Sequence, residues 1–421
     1  MPQRECTKEK AIITSPKKRI TLPMTMEKYR EIVGDCVTYR KWIDQMIVEH
    51  PELFPKAIGF GYTLHDDRTS GKLEDVRLRR ICLKPLDEDG KKQVFTIAPS
   101  GVMPYFVGYT DDVEKALFLR RFFVPFWALT YVFGRDDDYW YRMEQQFGRY
   151  NLVQAIIKDP EKLPKHLLAD EKITWLNGEE VVVATTVGND CILGVSVALG
   201  VDTANLTEAY QHFKDEAQAL NPDYAPETVN TDGWGATQKA WLSLFPMIII
   251  IECFLHAYIK IRERAHHLKE VFNKLSQCVW DVYRAADAVS FRSKAEELRL
   301  WAEQNTTGYV LESVLKLCKK VDRFVLAYDH PFAHRTSNML DRHMNPMDRW
   351  LDGTRFFHGH WTSSERSIRA WALLNNFGPY CPRAEISKTY SSPAHRLNGF
   401  VYHSNWLHNL LVATSLSGCK R

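Results

Sequence analysis

The chain has 421 residues, of which 45% are hydrophobic and 25% are charged, and its formal net charge at pH 7 is +3. A chain of this length can form two or three domains that each bury a core, and its composition is ordinary for a soluble globular protein. No apolar run approaches the roughly 20 residues of a membrane span, and no apolar core of signal-peptide length occurs near the start. We therefore expect a soluble, cytoplasmic protein, and the small net charge does not by itself argue for nucleic acid.

The nine cysteines are scattered, and none forms a Cys-x-x-Cys pair. The sequence therefore predicts neither a zinc ribbon nor a disulfide framework. Residues 1–24 form a basic arm in which lysine and arginine outnumber glutamate. Such an arm can lie on phosphate groups or remain a solvated tail, and the sequence leaves both readings open.

Residues 25–110 are predicted to hold a helix followed by a small β-rich module. The helix covers about 25–52, where apolar residues recur every three to four positions up to Pro51. Three strand-like runs follow, GFGYTL, VRLRRICL and KQVFTIAP, separated by charged turns. The charged hairpins could follow a DNA backbone or serve as a structural adaptor.

Residues 111–160 return to a helical period and suggest a helix-turn-helix arrangement. Three short helices are predicted, with a tight connection at Gly134-Arg135. Arg135, Arg142 and Arg149 are the candidate DNA contacts of this segment. Its many aromatic residues are expected to fill a core and not to stack on bases.

From residue 161 the pattern predicts a mixed sheet. EKITWL, EEVVVATTVG and CILGVSVAL read as three antiparallel strands joined by turns at Asn177-Gly178 and Gly188-Asn189-Asp190. A helix follows, with Asn205 as its expected N-cap, and then a strand, a helix and the buried strand PMIIIIECFL. This order is typical of a ribonuclease-H-like core, in which the first and fourth strands lie side by side.

Asp170 at the first strand and Asp232 just past the fourth would then be neighbours. Cleavage and transfer of phosphodiesters use two divalent metals about 3.5–4 Å apart. Magnesium prefers carboxylate oxygens, and strands hold carboxylates rigidly. Taken singly, Asp170 could be an ordinary strand acid and Asp232 part of an ordinary turn.

Three segments carry a resemblance to a known family: ADEK at 169–172, NTDGWGATQKAW at 230–241 and RTSNMLDR at 335–342. They resemble the three acidic motifs of DDE transposases, above all the Mutator-like and related insertion-sequence enzymes. Those enzymes carry a helical insertion before the last acid and a Cys-x-x-His after the second, which ECFLH supplies here as Cys253 and His256. The resemblance covers about residues 164–385.

The resemblance implies that Asp170, Asp232 and Asp341 hold Mg²⁺, with Mn²⁺ as an alternative. Asp341 stands where the family usually has glutamate, and aspartate remains a hard oxygen ligand. Asp348 and Asp352 share its helical face. Pro346 is expected to interrupt that helix and turn the later acids away, which favours Asp341.

The implied activity is metal-dependent DNA cleavage followed by strand transfer of an insertion element. The partners implied are double-stranded DNA, both element ends and target, and further copies of the chain in a homodimer or larger synaptic assembly. In a prokaryote the protein would be associated with the nucleoid. Cys253 and His256 would place the insertion or orient a phosphate. Two alternatives remain: a ribonuclease-H-like nuclease without strand transfer, and a catalytically silent, domesticated DNA-binding protein.

The expected fold class is α/β, α+β overall, with a ribonuclease-H-like mixed sheet interrupted by an all-α insertion. A β-rich module and a helix-turn-helix-like segment precede that sheet. The expected divisions are a basic arm (1–24), helix plus β-rich module (25–110), helix-turn-helix-like segment (111–160), first part of the catalytic core (161–256), all-α insertion (257–330), last part of the core (331–385) and tail with a short helix (386–421).

Overall fold

The computed structural model describes residues 18–69, 71–73, 75–84, 92–104 and 107–416. Most of the basic arm predicted at the N-terminus lies outside the described residues. The strands are β1 (Arg19–Leu22), β2 (Tyr62–Thr69), β3 (Arg77–Leu83), β4 (Gln93–Pro99), β5 (His166–Leu176), β6 (Glu179–Gly188), β7 (Cys191–Ala198), β8 (Thr228–Thr231) and β9 (Ile249–Glu252). They form two sheets, and with the helices they give a mixed α/β fold.

Helices occupy most of the remaining described chain. They are α1 (Met26–Val33), α2 (Cys36–Glu49), α3 (Thr110–Arg120), α4 (Phe126–Phe133), α5 (Asp137–Gln145), α6 (Leu152–Ile156), α7 (Thr203–Leu220), α8 (Gly235–Leu244), α9 (Phe254–Ala265), α10 (Lys269–Tyr283), α11 (Ala288–Asn305), α12 (Gly308–Lys319), α13 (Val321–Val325), α14 (Asn338–Gly353), α15 (Trp361–Phe377), α16 (Pro393–Asn398) and α17 (Trp406–Ala413). None of these described helices is long and apolar enough to cross a membrane.

The N-terminal sheet has the strand order β1-β4-β3-β2. The three strands predicted in this region are confirmed, whereas β1, which pairs in parallel with β4, was not predicted. The single helix expected over 25–52 is two helices, because Asp35 breaks the run and caps α2 by accepting from the backbone N–H groups of Val37 and Thr38. Val412 of α17 joins the same core, so the C-terminal helix closes this module.

The larger sheet has the order β7-β6-β5-β8-β9. The predicted meander is confirmed, since β5, β6 and β7 pair antiparallel in sequence order. Both predicted turns are present, and Asn177 and Asn189 adopt the positive φ that such two-residue turns require. β8 lies parallel to β5 with Leu168 opposite Asn230, so the expected adjacency of the first and fourth strands is also confirmed.

Helices cover both faces of this sheet. α7 and α8 pack together on one face of the sheet. α14 packs against β5 on the other face, and successive residues of β5 point to these two faces in turn. The N-cap of α7 is Asp202 and not Asn205, because the Asp202 carboxylate accepts from the N–H groups of Ala204 and Asn205. An ionised carboxylate accepts these bonds more strongly than an amide and interacts favourably with the helix dipole.

The expectation that Pro346 interrupts its helix is wrong. α14 runs without a break from Asn338 to Gly353 with Pro346 inside it. A proline there removes one backbone hydrogen bond. The buried apolar face of α14, which includes Met347, Trp350 and Leu351, packs into the main core and holds the helix together across that gap.

The predicted all-α insertion is present as α9–α13, and it has a hydrophobic core of its own. That core is centred on fully buried Phe291, Val279 and Val314. Its first helix begins at Phe254, slightly before the expected boundary at 257. The two ends of the insertion meet, because the Phe254 N–H donates to the carbonyl of Arg335 over 3.1 Å.

Candidate acidic site

The three predicted acids come from three different elements that meet beside β5. Asp170 lies within β5, Asp232 directly follows β8, and Asp341 lies in the first turn of α14. Leu168 is opposite Asn230 in the parallel pair, so continuing that register by two residues places Asp170 opposite Asp232 on one face. Asp170 interacts electrostatically with both Asp232 and Asp341, so the structure brings the three together.

Each carboxylate also accepts a hydrogen bond from its own element. Asp170 Oδ1 accepts from the Glu171 N–H over 2.8 Å, and Asp232 Oδ1 accepts from the Trp234 N–H over 2.8 Å. Asp341 Oδ2 accepts from the Ser337 hydroxyl over 3.0 Å. Within the described residues, no three His, Cys, Asp or Glu side chains are grouped closely enough to hold a metal ion as they stand. The three acids share a site, but their side chains are turned to local donors.

Asp170 and its neighbour Glu171 are buried enough to disfavour their charged forms. Burial raises the pKa of Asp170 to about 6, and the charges of Asp232 and Asp341 raise it further. Its neighbour Glu171 points to the opposite face of β5, where its Oε1 accepts from the hydroxyls of Tyr210 and Thr237, each over 2.7 Å. Burial raises the pKa of Glu171 to about 7, and its Oε2 atom has no hydrogen-bond partner. Sequence reasoning missed Glu171.

His256 is a source of positive charge beside these acids. The neighbouring Cys253 side chain raises the pKa of His256 to about 9, and the charges of Asp170 and Asp232 add to that effect against the opposing effect of burial. An imidazolium therefore faces two of the acids near neutral pH. His256 therefore interacts with the acids through its charge, in addition to the roles expected of the Cys-x-x-His segment, which were to place the insertion or orient a phosphate.

Cys253 links the end of β9 to the start of α14. The Cys253 thiol donates to the Ser337 hydroxyl over 3.4 Å and accepts from the Ser337 N–H over 3.2 Å. Burial raises the pKa of this thiol, but the interactions with His256 and Ser337 outweigh burial and lower it overall. Because Ser337 in turn donates to Asp341, one chain of contacts runs from Cys253 to the third acid.

Glu252 is a further acid that the sequence analysis missed. It ends β9, its side chain is only 2% exposed, and it pairs with Lys320 over 2.6 Å and with Arg323. Gly233, beside Asp232, has a φ of +92°, and a Cβ there would meet Glu252 Oε2 and Lys320 Nζ at 3.2 Å. In the sequence, Glu252 is distinguished only as the single acidic residue that ends the otherwise apolar run PMIIIIE.

The rival acids on α14 have different surroundings. Asp348 forms an ion pair with Lys172 of β5 over 2.9 Å. Asp352 is exposed. Asp341 lies in the first turn of α14, and its charge raises the pKa of Asp170. Asp341 is therefore preferred to Asp348 and Asp352 because of its interaction with Asp170, and not because Pro346 breaks the helix.

The candidate DNA-contacting arginines lie in the α4–α6 region. Arg135 has a φ of +62° and lies over the Tyr139 ring, with 5.5 Å between its guanidinium carbon and the ring centroid. Arg142 pairs with Asp138 over 3.1 Å, and Arg149 is exposed. Across the described part of the chain, no hydrogen bond or ion pair joins these arginines to the acidic site.

Comparison with protein-family models and with curated proteins finds no match for this chain.

Proposed function

We propose that this protein is a DDE-type DNA transposase that cleaves DNA and transfers the cut strand, with Asp170, Asp232 and Asp341 as its catalytic acids. The observation that carries the proposal is the placement of Asp170 in β5, of Asp232 directly after the parallel strand β8, and of Asp341 on α14, which packs against β5. The sheet order, with two parallel strands following an antiparallel meander, supports a ribonuclease-H-like core. The helical insertion between β9 and α14 supports the same class.

The donor set suits a hard divalent cation such as Mg²⁺ or Mn²⁺. Three carboxylates from three elements supply oxygen ligands, and burial with mutual repulsion leaves Asp170 with a raised pKa that a nearby cation would lower. The hydrogen bonds that now hold the carboxylates come from single N–H or O–H donors. Asp170, Asp232 and Asp341 would hold such ions, which would supply activation of the attacking oxygen and charge neutralisation at the leaving one.

The protein's own residues have separable tasks in this proposal. Asp170 lies in β5 and Asp232 directly follows the neighbouring parallel strand β8, so two paired strands carry these acids. Asp341 completes the set from α14, and the Ser337 hydroxyl orients its carboxylate. His256 would offset part of the negative charge and contact a phosphate oxygen beside the acids, and its raised pKa supports this role. Lys320 and Arg323 bring two further cations to the same edge.

The decisive experiment measures cleavage and joining of a DNA element end in a Mg²⁺ titration. We expect Asp170→Asn, Asp232→Asn and Asp341→Asn each to lower the rate by at least about 10³-fold, because each removes a charged ligand that the other two cannot replace. Asp352→Asn is the matched control, since it changes an exposed acid on the same helix as Asp341. Asp341→Asn with full joining activity would refute the assignment of the third acid.

The two alternatives are separated by the same assay. Cleavage without joining of pre-cleaved ends would favour a ribonuclease-H-like nuclease. DNA binding without either reaction, unchanged in the three acid variants, would favour a silent DNA-binding protein.

A further inference from the structure

The turn between β6 and β7 carries a buried aspartate whose role the acidic site does not explain. Asp190 has a φ of +66°, and its side chain is only 8% exposed. A buried carboxylate is costly unless paired, so its partners show what it holds in place.

Two of these partners lie on α14, directly after the third acid. Arg342 donates to Asp190 Oδ1 over 3.3 Å, and His343 Nε2 lies 3.8 Å from the same oxygen. The Asp190 N–H also lies 3.2 Å from the Met339 sulfur, two residues before Asp341. The tip of this hairpin therefore contacts α14 on both sides of Asp341 in sequence.

The other partners tie the same carboxylate to the C-terminal part of the chain. The Tyr380 hydroxyl donates to Asp190 Oδ2 over 3.0 Å, and Arg396 of α16 donates over 3.4 Å. Asp190 thus joins three segments that are distant in sequence. The contacts on α14 bear on the acidic site, whereas those of Tyr380 and Arg396 do not.

We infer that Asp190 is a positioning residue: by holding the N-terminal part of α14 through Arg342 and Met339, it sets where the Asp341 carboxylate stands relative to Asp170 and Asp232. The Ser337 contact orients the Asp341 carboxylate locally, but it does not fix the rotation of the helix that carries it. The Lys172–Asp348 pair holds α14 to β5 two turns further on. Asp190 supplies a second constraint at the end of α14 where the acid is, in addition to the contact between Cys253 and Ser337. The inference rests on the proposed function, because it concerns the same three acids.

Asp190→Asn tests this directly, because asparagine keeps the shape of the side chain and tolerates the left-handed backbone. We expect the Mg²⁺ concentration for half-maximal activity to rise about 10-fold, as is usual when a partner that orients a ligand is lost. Arg342→Gln should do the same. The double variant should lose no more than the larger single loss, because both changes weaken the same contact between Asp190 and Arg342.

Two controls separate positioning from general damage. Tyr380→Phe removes a different partner of the same carboxylate and should leave the Mg²⁺ dependence unchanged. Arg349→Gln removes an exposed arginine from the same helix, two turns away, and should also be silent. A Mg²⁺ dependence that shifts equally in Tyr380→Phe and Asp190→Asn would overturn the inference.

A second readout does not depend on catalysis. Amide hydrogen exchange in peptides covering residues 338–347 should quicken about 10-fold or more in Asp190→Asn, with the β5–β6 region unchanged. Unchanged exchange together with an unchanged Mg²⁺ dependence would refute the role of Asp190 and leave the proposed function standing. An inactive wild-type protein with the expected change in exchange would instead refute the proposed function and retain the contact between Asp190 and α14.

Discussion

At the scale of single residues, the ionisation of buried Glu171 is expected to lower the free energy of unfolding. Burial raises its pKa to about 7 and that of Asp170 to about 6, so the folded protein binds protons more tightly than the unfolded chain in this range. The stability due to these groups is fully present below their ordinary pKa values of about 4 and is lost as the pH rises from there through 6 to 7. His256, with its pKa raised to about 9, acts in the same direction at higher pH.

Glu171→Gln should therefore flatten the dependence of stability on pH. In EDTA, the free energy of unfolding of the wild type should fall from about pH 5 to about pH 8, with Glu171 accounting for on the order of 3 kcal/mol of the fall. The variant keeps an oxygen acceptor for Tyr210 and Thr237 and carries no charge. Urea unfolding at several pH values measures the slopes, and parallel slopes for the two proteins would contradict the expectation.

At the scale of elements, α14 is stable in spite of Pro346. Replacing Pro346 with alanine should allow residue 346 to donate to the carbonyl of residue 342 and should relieve ring crowding. We expect a stabilisation of about 1 kcal/mol, less than the full cost of an interior proline because the unfolded chain also gains freedom. Thermal unfolding measures it. If Pro346→Ala is less stable than the wild type, the packing of the proline ring contributes more stability than the added hydrogen bond.

The elements of the larger sheet could be predicted from the sequence because their signals are local. β5, β6 and β7 alternate or run apolar between turn residues, and both turns carry asparagine at the required positions. β1 could not be predicted in the same way, because four residues become a strand only through parallel pairing with β4, where Arg19 lies opposite Thr96. The effect of Pro346 was misjudged for a similar reason: propensity opposes the helix, and tertiary burial outweighs it.

In the acidic site, too, some residues could be predicted from local sequence signals and others depend on tertiary contacts. Asp170 and Asp232 followed from strand order, which a single sequence displays. Glu252 and Asp190 did not, because their partners lie 68 and 152 residues away and no periodicity links them. Buried ion pairs of this kind depend on packing between elements, and sequence shows only that a charge occurs in an apolar setting.

At the scale of the whole molecule, the proposed DNA binding must show in its dependence on salt. If about six phosphates are neutralised, the affinity should fall about 10³-fold between about 50 mM and about 200 mM salt, because bound counterions are released on binding. Binding to a labelled duplex by fluorescence anisotropy across this range gives the slope. A flat dependence would contradict nucleic-acid binding through the phosphate backbone.

The closure of the insertion has an entropic consequence. Cys253 and Ser337 touch although 84 residues separate them, so the chain must close a long loop before the third acid can reach the other two. The cost of closing such a loop grows only with the logarithm of its length, and doubling it adds only about 0.6 kcal/mol. Since α9–α13 pack around their own core, they can fold first and bring their ends together. The subdomain can therefore lengthen or shorten with little effect on the stability of the acidic site, so long as the junction between Cys253 and Ser337 is kept.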